Sequence, residues 1–339
     1  MNDNNKLLTI CIPTYNRKEI LYKCIQNILT CKSQDFEILV VDNKSTDGTV
    51  ELLHTISDAR LRIYENEVNI GGILNPLRAP LYAIGKYTIL LLDKDGIYSE
   101  YLSNFLDFLK ENELTHGYCK LNDEKLGTGP CSIFSNNFEC LLNTSYLSKH
   151  PSGMFWNTRL YKDCPLIGEI SSNVKVFGFY FEFVNAFFSV NYKGNCCIYN
   201  EKLIFTESEE DCGKILTKSY NKENLFFLPK NRCFEYKMYL NDFCKYVFLF
   251  EKTEIYEINK KLIKEFCGAL WSLRKLKNNQ FILNHYGISS KDIRIIDCLF
   301  YSNLFICWYL FKYKGAFFKT KIKVIVYIIK LIFREKQRG

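Results

Sequence analysis

No apolar run in this chain reaches the ~20 residues that a membrane-spanning helix requires, and no two cysteines stand in a C-x-x-C pair. The polar opening Met1 to Lys6 runs straight into a strand-like segment, which argues against a signal peptide. Fifteen cysteines are scattered singly apart from Cys196-Cys197, with no metal-site spacing. They are expected to be reduced and mostly buried, in a cytosolic protein. No internal repeat recurs at the periods of roughly 20 to 50 residues that mark solenoids and propellers. The segment after the first strand, Pro13-Thr14-Tyr15-Asn16, lacks glycine, which disfavours a nucleotidyltransferase phosphate loop.

What is present is a chain of 339 residues, 47% apolar, able to bury a substantial core as one large or two modest domains. Its net charge of +8 is unevenly placed. Lys312 to Gly339 holds nine Lys or Arg and one Glu, the whole of the excess. A neutral body with a basic tail excludes a broad nucleic-acid-binding face and points to a localised contact at the C-terminus.

Three short apolar runs, Leu8 to Ile12, Phe36 to Val41 and Tyr87 to Leu92, each lead into a polar cluster. The clusters are Pro13-Thr14-Tyr15-Asn16-Arg17, Asp42-Asn43-Lys44-Ser45-Thr46-Asp47 and Asp93-Lys94-Asp95. Between the first two runs, Ile20, Leu21, Cys24, Ile25 and Ile28 recur at helical spacing, and Ser45, Thr46 and Asp47 offer caps for a helix from Thr49 to Ile56. Leu61 to Tyr64 reads as a further strand, and Pro76 and Pro80 confine the helix after Asn69-Ile70-Gly71-Gly72. Strand and helix therefore alternate over the first ~95 residues, the pattern of an α/β, mainly parallel sheet flanked by helices. In such a sheet ligands bind just beyond the strand ends, so the three clusters should share one crevice.

Cys11 to Arg17, Val41 to Thr49, Asn69 to Asn75 and Leu91 to Gly96, in this order and spacing, resemble the family 2 glycosyltransferases of the GT-A fold, of bacterial capsule and O-antigen type. The resemblance covers roughly the first 100 residues. It implies that Pro13, Thr14, Tyr15, Arg17 and Asn69 line a nucleotide pocket, that Asp42 receives the base, and that Asp93 lies near the ribose. It also implies that Asp93 and Asp95 grip Mn2+ or Mg2+ on the diphosphate of a nucleotide sugar. A hard cation held by carboxylates suits the charge that appears on a diphosphate when its glycosyl bond breaks. Alone, the two aspartates would read as an ordinary strand exit, and Asp47 equally as a helix cap.

The second half departs from the family pattern. Where relatives carry a Glu-Asp pair about a dozen residues before a glycine, this chain has Glu182-Phe183 before Gly194. Glu182 is the first choice for the base on the acceptor hydroxyl, since desolvation by its aromatic neighbours favours a raised pKa; a helix-surface acid is the alternative. Glu169 is the second choice. His150-Pro151-Ser152-Gly153 reads as an acceptor loop or as a structural turn.

From about Asn221 onward helical patterns dominate, and Ile295 to Phe311 reads as a buried or partly membrane-facing helix. In the tail, Lys319, Lys323, Lys330 and Arg334 fall on one helical arc opposite Phe317, Phe318, Ile322 and Val324. That is the plan of a helix lying on an anionic membrane surface, with a docked C-terminal helix as the alternative. The expected organisation is a catalytic domain over 1–210, a helical region over 211–311 and the basic amphipathic helix over 312–339. The expected function is inverting transfer of a sugar from a nucleotide-diphosphate sugar to a lipid-linked oligosaccharide, by an enzyme peripheral to the inner face of the cell membrane. A protein or soluble glycan acceptor, or a non-catalytic sugar-nucleotide binding module, is the alternative.

Overall fold

The computed structural model describes residues 6–121, 129–147, 149–172, 180–206, 227–279, 283, 289–291 and 294–336. It divides into two compact units, residues 1–174 with 179–208 and residues 175–178 with 209–339.

The first unit begins with β1 (Leu8–Thr14), α1 (Lys18–Leu29), β2 (Phe36–Asp42), α2 (Thr49–Leu53), β3 (Leu61–Glu65), α3 (Leu74–Arg78) and β4 (Tyr87–Leu90). All seven residues of β1 and of β2 are buried, as strands covered on both faces must be. The order β3-β2-β1-β4 is parallel throughout. Helix α1 turns Leu21, Cys24, Ile25 and Ile28 inward at the spacing the sequence predicts. Helix α2 ends at Leu53, one turn short of the expected Ile56. Pro76 lies in the first turn of α3, where its missing N–H costs no intrahelical bond, and Pro80 opens the 3-10 turn that follows.

The unit continues with β5 (Gly96–Ile97), α4 (Ser99–Glu111), β6 (Leu114–Leu121), β7 (Cys131–Phe134), α5 (Asn137–Thr144), β8 (Met154–Asn157), α6 (Thr158–Lys162), α7 (Pro165–Ser172), α8 (Phe181–Asn191) and β9 (Asn195–Phe205). The sheet extends as β4-β8-β6-β9-β5, with β7 on β9. Strand β8 enters antiparallel between β4 and β6, and β6 and β9 are parallel, so the α/β sheet is mixed beyond β4. Gly153, at φ +91°, begins this insertion; a Cβ there would lie 2.8 Å from the Cys119 carbonyl oxygen. Only glycine fits such a turn.

The second unit is helical: α9 (Pro229–Phe243), α10 (Lys252–Lys277), α11 (Ile295–Phe311) and α12 (Phe318–Lys336). The Phe266 and Phe305 rings stack at 4.1 Å, and Tyr236 meets Phe266 at 5.6 Å. Buried Asn259 accepts the Tyr309 hydroxyl at 3.1 Å, so its polar atoms are paired inside the core. None of the described helices is long and apolar enough to cross a membrane. Helix α12 packs on α10, which buries Val324 and Lys321, so the apolar arc read from the sequence is partly covered. The side chains of Lys330 and Arg334 lie outside the described residues.

Candidate active site

The ends of β1 and β2 are tied to each other by their own polar side chains. The Asn16 N–H donates to Ser45 Oγ at 2.8 Å, and the Thr46 N–H to Asn16 Oδ1 at 2.7 Å. Asn16 and Lys44 both take the left-handed conformation, at φ 53° and 66°, so neither chain continues into regular structure there. Asp47 stands one residue before Gly48, which occupies the cap position of α2, and accepts the N–H groups of Thr49 at 3.1 Å and Lys18 at 3.2 Å, linking the starts of α2 and α1. Its proximity to these donors holds its carboxyl below the ordinary range despite partial burial.

Asp42 stands at the last position of β2, level with Thr14. It is buried, and its Oδ2 accepts the Ser45 N–H at 2.7 Å. Its Oδ1 is buried without a hydrogen-bond partner. A buried unpaired carboxylate oxygen is costly to the fold, and a ligand N–H would satisfy it. Behind it, Asn43 donates to Asn69 Oδ1 at 2.9 Å and accepts the Ile70 N–H at 2.9 Å. Asn69 also accepts the Gly71 N–H, so its carboxamide shapes the glycine loop from within.

Asp93 follows β4 and faces β1. Its Oδ2 accepts the Thr14 hydroxyl at 2.9 Å and its Oδ1 meets Arg17 Nη1 at 3.2 Å. Burial pushes its carboxyl pKa up, against the opposing pull of Arg17 and Thr14. Pro13 is buried in the strand, whereas Tyr15 is 40% exposed beside the crevice.

Asp95 is buried and engages a segment distant in sequence. Ser152 donates its hydroxyl proton to Asp95 Oδ2 and accepts the Leu92 N–H at 3.0 Å. His150 Nδ1 lies 3.5 Å from the same Oδ2 and accepts the Ser152 N–H at 3.3 Å. The His150-Pro151-Ser152-Gly153 segment is thus stitched to the end of β4, and the Gly153 N–H adds a bond to the Leu90 carbonyl at 2.9 Å. The sequence flagged this segment but gave no sign that it reaches Asp95.

Among the described residues no group of three or more His, Cys, Asp or Glu side chains is arranged to hold a metal ion. Asp95 and His150 form a two-donor pair, which suits a cation that draws its remaining ligands from phosphate oxygens and water. Asp93 has both oxygens engaged by Thr14 and Arg17, and Asp95 Oδ2 is engaged by Ser152 and His150, so a cation held at either aspartate would share oxygens the chain already uses.

Glu182, in the first turn of α8, is fully buried. Its Oε2 accepts the Leu147 N–H and its Oε1 the Lys149 N–H, each at 3.0 Å. It is neither a helix-surface acid nor open to solvent, and it anchors the stretch that runs into His150. Phe183, where relatives carry an acid, packs edge-on to Tyr146 at 6.3 Å. Glu169 lies exposed on α7. The neighbouring Ile167, Gly168 and Ser171 line a cavity of about 330 Å3 together with Arg78 and Lys162.

Residues 9–158 match the family model described as "Glycosyl transferase family 2". That segment holds β1 to β8 and every residue named at the three strand ends, so the family match falls on the part of the chain that carries the candidate site. The chain is 32% identical over 111 residues to a poly(ribitol-phosphate) beta-glucosyltransferase of Bacillus spizizenii, covering 31% of this chain and 18% of that one. It is 29% identical over 122 residues to the putative colanic acid biosynthesis glycosyl transferase WcaA of Escherichia coli, covering 35% and 43%. It is 32% identical over 108 residues to the abequosyltransferase RfbV of Salmonella typhimurium, covering 30% and 32%. The match thus spans less than half the length of each of these relatives. A crystal structure of S. aureus TarS aligns over 90% of this chain and 93% of that one, at 14% identity and a TM-score of 0.48.

Proposed function

We propose that the first unit transfers a sugar from a nucleotide-diphosphate sugar to an acceptor hydroxyl with inversion, and that the acceptor is a lipid-linked oligosaccharide of a cell-surface polysaccharide. The catalytic domain we assign to residues 1–210. The observation that carries the reading is the unpaired Oδ1 of Asp42, buried at the end of β2 in a segment that matches the family.

In this reading the base of the donor donates an N–H to Asp42 Oδ1, and the ribose lies toward Asp93, whose carboxylate Arg17 and Thr14 hold in place. Tyr15, exposed at the rim, covers the base. Asp95 and His150 would hold a divalent cation, which supplies charge neutralisation to the diphosphate as it leaves. The acceptor oxygen attacks the anomeric carbon from the face opposite the diphosphate. The C–O bond to the diphosphate breaks, the electron pair leaves with the nucleoside diphosphate, and the acceptor proton passes to a carboxylate. Glu182 and Glu169 are the acids proposed for that proton. Glu182 would first have to release two main-chain N–H groups, so exposure favours Glu169. The product carries the inverted anomeric configuration.

The acceptor's lipid carrier places the reaction at an anionic membrane surface, with the enzyme peripheral to it on the cytoplasmic side. A thermal-shift screen of nucleotide sugars with and without Mn2+ tests the reading. The true donor raises Tm by mass action, by an amount equivalent to about 2.7 kcal/mol at a hundredfold excess over Kd. Absence of any shift across uridine, guanosine, cytidine and thymidine diphosphate sugars contradicts it.

A further inference from the structure

Between Phe311 and Val326 nine residues are exposed, and every one is either apolar or a lysine. The apolar members are Phe311, Phe317, Phe318, Ile322 and Val326, from 41% to 77% exposed. The charged members are Lys312, Lys314, Lys319 and Lys323, with no carboxylate among them. Lys252 adds a fifth cation, its Nζ 5.4 Å from the centroid of the Phe317 ring. On α12, Phe318, Ile322 and Val326 follow at i, i+4 and i+8, so they share one face, and Lys319 and Lys323 run beside them.

This face is held by the fold. Lys321 points inward and donates from Nζ to the carbonyl oxygens of Leu310, at 3.1 Å, and Tyr313, closing the last turn of α11 where carbonyls lack intrahelical partners. Val324 is buried on the same side of α12. The corner between α11 and α12 is therefore fixed from inside, and the aromatic and cationic side chains are left on the outside.

We infer that the Phe311–Val326 surface docks on an anionic lipid bilayer, with the phenyl rings at the depth of the headgroups and the lysines on lipid phosphates. Charge complementarity selects this occupant. Two copies of the face would set Lys312, Lys314, Lys319 and Lys323 against the same four, with no acid among the exposed residues of Phe311–Val326 to relieve the repulsion. A polyanionic macromolecule would engage the lysines but leaves the exposed phenyl rings without an apolar partner. A bilayer interface satisfies both, since rings and cations each favour it. The inference deepens the membrane-peripheral part of the proposed function and does not depend on which residues catalyse transfer.

Co-sedimentation of the full chain with vesicles decides the matter, using phosphatidylcholine alone and phosphatidylcholine with phosphatidylglycerol. The unaltered chain should partition to the anionic vesicles and lose that partition as salt shortens the screening length. Phe317→Ser with Phe318→Ser should weaken it about 10-fold or more. Changing Lys312, Lys314, Lys319 and Lys323 together to Gln should weaken it on the order of 1,000-fold. Nucleoside diphosphate binding by calorimetry should be unchanged in every variant, which separates failure of this surface from failure of the catalytic reading. Equal partition by all chains overturns the inference. So does salt-sensitive binding that ignores the phenylalanines, which would mark a general polyanion patch. A wild-type chain that ignores vesicles but forms a dimer broken by the phenylalanine changes would assign the face to a second copy.

Discussion

Ser152 donates its hydroxyl proton to the carboxylate of Asp95, which lies 57 residues earlier in the chain. The same hydroxyl oxygen accepts the Leu92 N–H, so one atom fixes both the exit of β4 and the Asp95 carboxylate. Outer partners of a metal-binding carboxylate typically contribute 10- to 100-fold in metal affinity. Ser152→Ala should therefore reduce the Mn2+-dependent part of nucleoside diphosphate affinity by about that factor, with affinity in EDTA unchanged. Calorimetric titration in the two media measures the difference. Equal losses in both would assign Ser152 to the fold alone.

Asp42→Asn should keep the bond from the Ser45 N–H while replacing the unpaired Oδ1 with an amide N–H2. A hydrogen bond to a charged group contributes about 1.5–3 kcal/mol, so nucleoside diphosphate affinity should fall roughly 10- to 150-fold. Thermal stability should hold or rise, because a neutral amide costs less to bury than a carboxylate. A variant that binds as tightly as the parent would dissociate Asp42 from base recognition.

Glu182 and Glu169 are separable by stability. Glu182→Gln sets an amide against two backbone N–H donors, and leaving one unsatisfied costs about 1–3 kcal/mol, read as a lower midpoint in urea. Glu169→Gln, on an exposed helix face, should stay within about 0.5 kcal/mol of the parent. A loss of about 10² to 10⁴ in transfer rate at unchanged stability marks the base. Should Glu169→Gln transfer at the parental rate, the assignment to it is wrong.

His116 sits fully buried in β6, hydrogen-bonded to Thr144 and Ser189, and burial pulls its pKa from the ordinary 6.5 down to about 3. The unfolded chain takes up a proton below pH 6.5 that the folded chain refuses until pH 3. Stability attached to this histidine is therefore complete above pH 6.5 and lost on acidification, at up to about 1.4 kcal/mol per pH unit. His116→Gln should flatten the acid limb of urea midpoints between pH 6 and pH 4. An unchanged slope would mean that other groups set it.

The three strand ends were legible because their signals are local. Apolar runs bounded by Thr14, Asp42 and Asp93, with a helical period between them, define parallel strands whose polar ends must meet. The contact of Ser152 and His150 with Asp95 was not legible, because it depends on β8 entering antiparallel beside β4, and no short-range pattern encodes that pairing. Glu182 was read correctly as desolvated by its setting, yet its bonds to Leu147 and Lys149 arise from chain distant in sequence. In the tail, helical periodicity gave the helix, but which arc α10 would cover depended on packing; Val324 went inside and Phe318 stayed outside.

The account rests on a nucleotide-diphosphate site at the ends of β1, β2 and β4, and calorimetric titration of nucleoside diphosphates with and without Mn2+ tests it most directly. The unaltered chain should bind one nucleoside diphosphate selectively and more tightly with Mn2+. Asp95→Ala should abolish the Mn2+ enhancement while thermal unfolding still shows a folded protein, at a lowered midpoint because Ser152 loses its buried partner. A Mn2+ enhancement of equal size in Asp95→Ala, or no binding of any nucleoside diphosphate by the unaltered chain, would contradict the account.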